Sequence, residues 1–280
     1  MEDNLLKELV ATALAEDVGS GDHTSLACIP EDATGWAKLI IKQKGILAGV
    51  ETAEKVFSII NPAIKFIPFI KDGTVVEHGD IAFHVSGSIQ SILKSERLVL
   101  NIMQRMSGIA TKTREYTDML TGLKTKILDT RKTSPGLRFL EKEAVRIGGG
   151  VNHRMGLYDM IMLKDNHIDY AGGIEKAILL TNDYLRRNNL KLKIEIEARS
   201  IDDVKTIIET GGIDIIMLDN FTIADLKSAV NLINGKYETE ASGGITLETV
   251  RSYAECGVDF ISVGALTHHV NSLDMSLKAF

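Results

Sequence analysis

The chain has 280 residues, 44% of them hydrophobic and 25% charged, with a formal net charge of −6. That length suits one large α/β domain or two smaller ones, with ample material for a core. The acidic balance excludes a general nucleic-acid binder, which needs a broad basic face for phosphates, so any cationic cluster must be local and suited to a small anion.

The N-terminal MEDNLLKELVATALAED has acids at both ends and no long apolar stretch, unlike a secretory signal. Leu5, Leu6, Leu9, Val10, Ala13 and Leu14 share one face of a helix over 4–16. The following EDVGSGDHTS, with Asp17, Asp22 and His23, reads as a glycine-rich turn or cap. Cys28 and Cys256 match no metal-ligand spacing and read as two buried thiols in a reducing compartment. No run approaches the roughly 18 apolar residues of a membrane span. A cytoplasmic protein is expected.

Short strands are expected over 36–42, 45–50, 64–70 and 81–86, and DGTVVEHGDIAFHVSG reads as two strands joined at His78 and Gly79. A helical stretch follows over 95–120, with a break near Ser107 and Gly108. Arg97, at its start, reads as a solvated helix charge. Apolar strands then alternate with helices: 126–130, 137–147, 159–163, 192–197, 201–210, 214–218, 222–233, 237–241, 246–256 and 259–263. Strands such as IEIEA, IDIIML and FISVG are apolar on both faces, as in a covered parallel sheet. Six are clear, and the glycine-rich 148–153 is a candidate seventh. Repeated βα units point to a closed or nearly closed barrel, with an open doubly wound sheet as the alternative.

Polar residues recur at the carboxyl ends of these strands. Asp129, Thr130, Arg131 and Lys132 follow the first; His153, Arg154 and Lys164 flank the second; Glu195 and Glu197 lie in the third. Asp219 and Asn220 end the fourth, Ser242, Gly243 and Gly244 the fifth, and Val263, Gly264 and Ala265 the sixth. In a β/α barrel those ends share the face where active sites are built. Arg131, Lys132, Arg154 and Lys164 are then four cations around one pocket, with His153 as a further donor and Glu197 and Asp219 as acids. Guanidinium groups grip carboxylates in pairs, lysine serves phosphate as a point charge, and glycine turns let backbone N–H groups approach an anion. A carboxylated small molecule plus a sugar phosphate is the ligand set these groups fit. Lys142 and Arg146 read as solvated mid-helix charges, Arg138 is left open, and His268 and His269 do not read as a metal pair.

The string ILDTRKTSPGLR…GGGVNHRMGLYDMIMLKDNHI closely resembles the quinolinate phosphoribosyltransferase family. EDVGSGDHTS, GILAGVE, SERLVLNIMQRMSGIAT, IEIEARS, IIMLDNF and ASGGI…GVDFISVGALTHH resemble family segments in order along nearly the whole chain. The resemblance implies an N-terminal open α/β sandwich (1–108), an incomplete, six- to seven-stranded β/α barrel (109–269), and a C-terminal helix over 270–280 packing back on the sandwich. It implies conversion of quinolinate and phosphoribosyl pyrophosphate to nicotinate mononucleotide, carbon dioxide and pyrophosphate, with Mg2+. Arg131, Arg154 and Lys164 would hold the quinolinate carboxylates, with Thr130 and His153 nearby; Lys132 and Lys164 would face phosphate oxygens. Glu197, or as fallback Glu195, and Asp219 would address ribose hydroxyls and metal-bound water, with no direct side-chain metal ligand. Ser242, Gly243, Gly244, Val263, Gly264 and Ala265 would form the phosphate cradle. Arg97 would reach the neighbouring subunit's site, making a homodimer the minimum and a hexamer an option. The rivals are a non-carboxylating nicotinate phosphoribosyltransferase and a catalytically silent ligand-binding paralogue.

Overall fold

In a computed structural model that describes residues 2–280, the chain opens with α1 (Glu2–Val18), α2 (His23–Cys28), β1 (Thr34–Ile41), β2 (Gly45–Ile46) and α3 (Val50–Ile60). It continues through β3 (Lys65–Pro68), β4 (Val75–Val76), β5 (Ile81–Ser88), the long α4 (Ile89–Met119), β6 (Lys126–Leu128) and α5 (Arg138–Ile147). Then come β7 (Ile161–Leu163), α6 (Asp165–Ala171), α7 (Ile174–Arg187), β8 (Ile194–Ala198), α8 (Ile201–Thr210) and β9 (Ile215–Asp219). The last elements are α9 (Ile223–Ile233), β10 (Glu238–Ser242), α10 (Val250–Ala254), β11 (Phe260–Ser262), α11 (Ala265–His268) and β12 (Met275–Ala279). The chain forms two units, one of residues 1–114, 134–149 and 269–280, the other of 115–133 and 150–268.

The first unit is built on an antiparallel sheet in the order β12-β1-β5-β3. Its core stacks Phe57, Phe66 and Phe83, the latter two 4.4 Å apart between ring centres. Asp22 is indeed a cap: its carboxylate accepts the Ser25 N–H at 3.1 Å and so starts α2.

Two expectations change here. The C-terminal segment is a strand, not a helix: Met275 and Leu277 alternate inward while β12 pairs antiparallel to β1 from Ile41↔Met275 to Ala37↔Ala279. The two strands read on either side of His78 and Gly79 are present as β4 and β5, and they pair with different partners, β4 with β2 and β5 with β1 and β3. And α4 runs unbroken through Ser107 and Gly108. Gly108 is there for close approach, because a Cβ would lie 2.3 Å from the Asn271 carbonyl oxygen. Ser107 is buried, its hydroxyl accepting the Ala48 N–H at 2.8 Å.

Two exposure expectations also fall. Lys142 is fully buried rather than solvated, beside the almost fully buried Glu141. Glu141 accepts from Arg105 Nε at 2.7 Å while Arg105 Nη2 donates to the Ser134 hydroxyl at 3.0 Å, a network that ties α4 to the segment entering α5. Cys28 is exposed and Cys256 half-buried; both are free.

The second unit is a six-stranded parallel sheet in the order β6-β11-β10-β9-β8-β7. The candidate seventh strand reduces to one parallel bridge, Leu128↔Val151, on the outer side of β6. The strands therefore follow barrel order without closing, and α6 and α7 add to the elements read from the sequence. Register fixes which side chains share a face: Glu195 pairs with Ile215 and Glu197 with Met217, while Glu238, Glu240 and Ser242 pair with Ile215, Met217 and Asp219. Because side chains alternate along a strand, the acids all fall on one face. The opposite face is Ile196, Ala198, Ile216, Leu218 and Ala241, all buried. Among the described residues no helix is long and apolar enough to cross a membrane.

Candidate active site

The DTRK segment leaves β6 with its acid turned inward. Asp129 is fully buried, and its Oδ1 accepts the His153 N–H at 2.8 Å. The Val151 N–H donates to the Ile127 carbonyl at 2.8 Å, so the glycine-rich segment lies along β6 and carries His153 and Arg154 toward its carboxyl end. Beyond Asp129, Thr130 Oγ1 accepts the Lys132 N–H at 3.1 Å, and the Thr267 hydroxyl donates to the Lys132 carbonyl at 2.7 Å. With the backbone pinned, the side chains of Arg131 and Lys132 are exposed. Lys132 passes Gly264 so closely that a Cβ there would meet its Cδ at 3.1 Å and His268 Nε2 at 3.0 Å. A side chain at 264 would have to push these two side chains aside by a few tenths of an ångström, so the β11 turn and Lys132 are closely packed.

The NHR…K segment is ordered by its own polar residues. Asp159 accepts the N–H groups of Met155 at 2.7 Å and Gly156 at 2.9 Å, closing the loop after Arg154. His167 Nδ1 accepts the Lys164 N–H at 3.0 Å, leaving the Lys164 side chain exposed at the end of β7. Arg154 donates from Nη1 to the Met160 carbonyl at 3.1 Å. Burial and the nearby Arg131 charge lower its pKa, against the attraction of Glu195 and Asp159. The two arginines are therefore close enough to repel, an arrangement that an anionic ligand would relieve.

The acids cluster in the same way. Burial raises the pKa of Glu197, as do the charges of Asp219 and Asp165, against the pull of Lys164 and Arg199. Asp219 is steadied by Asn220, whose Nδ2 donates to Asp219 Oδ2 at 2.6 Å and whose N–H donates to the Ser242 carbonyl at 2.9 Å. Asn220 adopts a left-handed conformation (φ 56°) to do this. Its side chain then lies where a Cβ on Gly243 would be, 2.2 Å from Oδ1. Gly243 (φ 99°) and Gly244 (φ 60°) both adopt conformations that favour glycine, so the SGG turn presents backbone next to Asp219.

Two residues have a different placement from the one expected. His153 is not a spare donor to a ligand: its Nε2 lies 2.8 Å from Glu195 Oε2 and 3.4 Å from Glu240 Oε2, and its Nδ1 accepts the Arg154 N–H at 2.7 Å. Burial lowers the imidazole's pKa, but the hydrogen bonds and charges of the two glutamates outweigh it and carry it to about 9. Glu195 is fully buried in the same cluster, which removes it as fallback for Glu197; burial and the Glu240 charge push it up to about 7. These three residues are the one group of three or more His, Asp, Glu or Cys side chains of metal-binding dimensions among the described residues.

The second unit thus gathers Thr130, Arg131, Lys132, Arg154, Lys164, Glu197, Asp219 and Ser242 with Gly243, Gly244, Val263, Gly264 and Ala265 at the carboxyl ends of neighbouring strands. Arg97 lies in the first unit, exposed on α4 and without a hydrogen bond or ion pair to any described residue. Sequence reasoning missed Glu240 and the inward role of Asp129. The signal for Glu240 was present in ETEAS, which repeats the alternate-acid pattern of IEIEA.

Comparison with known proteins agrees over the whole length. The family model described as quinolinate phosphoribosyl transferase, C-terminal domain, matches residues 109–278, and its N-terminal counterpart matches 22–107. The chloroplastic carboxylating nicotinate-nucleotide pyrophosphorylase of Arabidopsis thaliana is 47% identical, covering 98% of this chain and 82% of its own. A probable carboxylating nicotinate-nucleotide pyrophosphorylase of Bacillus subtilis is 42% identical, covering 97% and 92%. The solved nicotinate-nucleotide pyrophosphorylase of Francisella tularensis superposes with a TM-score of 0.92 at 38% identity, covering 99% and 97%.

Proposed function

Since the chain belongs to the quinolinate phosphoribosyltransferase family, we infer that it converts quinolinate and phosphoribosyl pyrophosphate to nicotinate mononucleotide, carbon dioxide and pyrophosphate. It is a decarboxylating phosphoribosyltransferase of NAD biosynthesis. The observation that carries this reading to the residues is the grouping of Arg131, Lys132, Arg154 and Lys164 with Glu197 and Asp219 at the carboxyl ends of neighbouring strands, where the Arg131 charge adds to burial in lowering the pKa of Arg154 and the Asp219 and Asp165 charges add to burial in raising that of Glu197. Like charges crowd where opposite charges are to bind: a dicarboxylate between the arginines, a sugar and its cation between the acids.

Arg131 and Arg154 hold the two carboxylates of quinolinate and aim the pyridine nitrogen at C1′ of the ribose. Lys132 and Lys164 stabilise the departing pyrophosphate as negative charge gathers on its bridging oxygen. The SGG and VGA turns cradle the 5′-phosphate with backbone N–H groups. Glu197 and Asp219 hold the ribose hydroxyls and offset the positive charge that builds on the sugar as the C1′–O bond breaks. Once the nitrogen is alkylated the ring becomes an electron sink, and the C2 carboxylate leaves as carbon dioxide, its bonding pair taken into the ring and then protonated. No side-chain nucleophile is needed, and positioning with electrostatics carries the rate.

The crowded acids also fit a hydrated Mg2+, held mainly by the sugar pyrophosphate, with Glu197 and Asp219 reaching it through water. Bound there it would neutralise the leaving pyrophosphate. The protein acts as a homodimer in which Arg97, free on α4, completes the neighbouring subunit's quinolinate site. A cytoplasmic location accords with two free thiols, one of them exposed.

The direct test offers purified protein magnesium, phosphoribosyl pyrophosphate and either quinolinate or nicotinate. Nicotinate mononucleotide and carbon dioxide from quinolinate alone are expected; product from nicotinate alone would overturn the carboxylate roles of Arg131 and Arg154. For the shared site, mixing Arg97→Ala with Arg131→Ala chains should partly restore activity. No recovery from hybrids shown to form would put Arg97 outside the site.

A further inference from the structure

Three asparagines among the described residues adopt the left-handed backbone conformation that side chains disfavour: Asn189 (φ 51°), Asn220 (φ 56°) and Asn234 (φ 47°). Asn234 caps the end of α9 and Asn189 follows the end of α7, where a left-handed residue is an ordinary way to stop a helix. Asn220 stops no helix. It follows β9, and its N–H prolongs the ladder to β10 by donating to the Ser242 carbonyl at 2.9 Å. In this conformation its amide reaches two parts of the site at once. Nδ2 donates to Asp219 Oδ2 at 2.6 Å. On the other side, a Cβ on Gly243 would lie 2.2 Å from Oδ1, 2.6 Å from Cγ and 2.9 Å from the backbone nitrogen of Asn220. The amide is thus wedged against an α-carbon that can carry no side chain.

Asp219 needs such a hold. It is half-buried at the end of its strand, and the Asn220 amide is its one hydrogen-bond partner among the described residues. Its charge adds to burial in raising the pKa of Glu197, so the two carboxylates lie near each other. An untethered Asp219 would turn away from Glu197 toward solvent before substrate arrives. We propose that Asn220 is a positioning residue for Asp219: its amide fixes one carboxylate oxygen, so that the other is kept in place for a ribose hydroxyl. Gly243 is the seat that holds the amide, which couples the sugar-binding acid to the phosphate-binding turn. The ribose in this proposal rests on the functional reading above; the Asp219–Asn220–Gly243 geometry does not.

The test is titration calorimetry of the full-length protein with phosphoribosyl pyrophosphate and magnesium, with quinolinate titrated separately as the control. Asn220→Gly accepts the left-handed backbone without strain and removes the amide. The Kd for phosphoribosyl pyrophosphate should rise about tenfold, while that for quinolinate changes less than about twofold. Asn220→Asp keeps the shape against Gly243 but, once ionised, donates nothing, so at pH 8 it should lose at least as much. A double-mutant cycle separates the hydrogen bond from the packing: in an Asp219→Ala background, Asn220→Gly should cost less than about twofold. A full tenfold loss in that background would mean that Asn220 serves the phosphate turn independently of Asp219, and would overturn the proposal. Wild-type affinity in either single variant would overturn it too, as would an equal loss of quinolinate affinity. A wild type that binds phosphoribosyl pyrophosphate but turns over no quinolinate would refute the functional reading and leave the result of the cycle standing.

Discussion

The strand ends of the second unit and the α4–α5 contact of the first are both rich in charge, but they treat it in opposite ways. Between α4 and α5, Arg105 is neutralised by Glu141, and Ser134 takes a remaining guanidinium donor. At the strand ends, burial and then the Arg131 charge lower the pKa of Arg154, and burial and then the charges of Asp219 and Asp165 raise that of Glu197. A network that satisfies itself has nothing left to bind with. A site that leaves like charges together stores an affinity that only ligands of opposite sign release. The difference separates architecture from function without reference to any relative.

The comparison breaks first if the two regions respond alike to mutation. Arg154→Ala removes a paired grip on a carboxylate, so kcat/KM for quinolinate should fall by about 10²–10³. Thermal stability should hardly move, within about 2 °C, because relief of the Arg131 repulsion offsets the lost hydrogen bond to Met160. Steady-state kinetics with melting curves on the same preparation tests both halves. A large loss of stability with intact kinetics would make Arg154 architectural.

Glu141→Ala should do the reverse. It leaves a partly buried guanidinium without its carboxylate, which costs about 3 kcal/mol and lowers Tm by roughly 8 °C. The folded fraction should keep its quinolinate KM within about twofold. Calorimetry followed by kinetics well below the transition reads this, and a Tm within about 2 °C of wild type would show that the ion pair does not hold α4 to α5.

What the sequence disclosed follows the same division. The barrel order, the grouping of cations and acids at strand ends, and the glycine turns were legible because strand alternation and βα repetition are local patterns. The TRKT and NHR strings needed no tertiary information either. Lys142 was misread because a lysine within RFLEKEAVRI looks like any helix-surface charge, and only the packing reveals that it is fully buried. Gly108 suggested a break in α4 because the carbonyl of Asn271 that demands it lies far away in the chain. MSLKA at the C-terminus had a strand's alternation, but its partner β1 lies at the opposite end of the sequence. Glu240 escaped notice for a related reason: ETEAS reads as a half-exposed strand until His153 is placed across from it. Each of these four depends on packing between residues distant in sequence, whereas α6 and α7 are local helices that the sequence reading passed over.

The subtlest consequence concerns pH. Glu197 titrates above its ordinary value of 4.5 in the folded protein, through burial first and then the charges of Asp219 and Asp165. The folded state therefore binds this proton more tightly than the unfolded chain does. The stability it confers is complete below the ordinary glutamate pKa and is lost as pH rises through the folded value. Glu197→Gln cannot ionise and escapes that loss. In the absence of substrate and magnesium its Tm at pH 7 should exceed that of wild type by about 1–2 °C, and the difference should vanish or reverse near pH 4. The same variant should use phosphoribosyl pyrophosphate poorly. A Tm at pH 7 below that of wild type would mean that Lys164 and Arg199 already neutralise the carboxylate. The acidic end of the site would then resemble the α4–α5 network, and the contrast between stored and satisfied charge would hold only for the arginines.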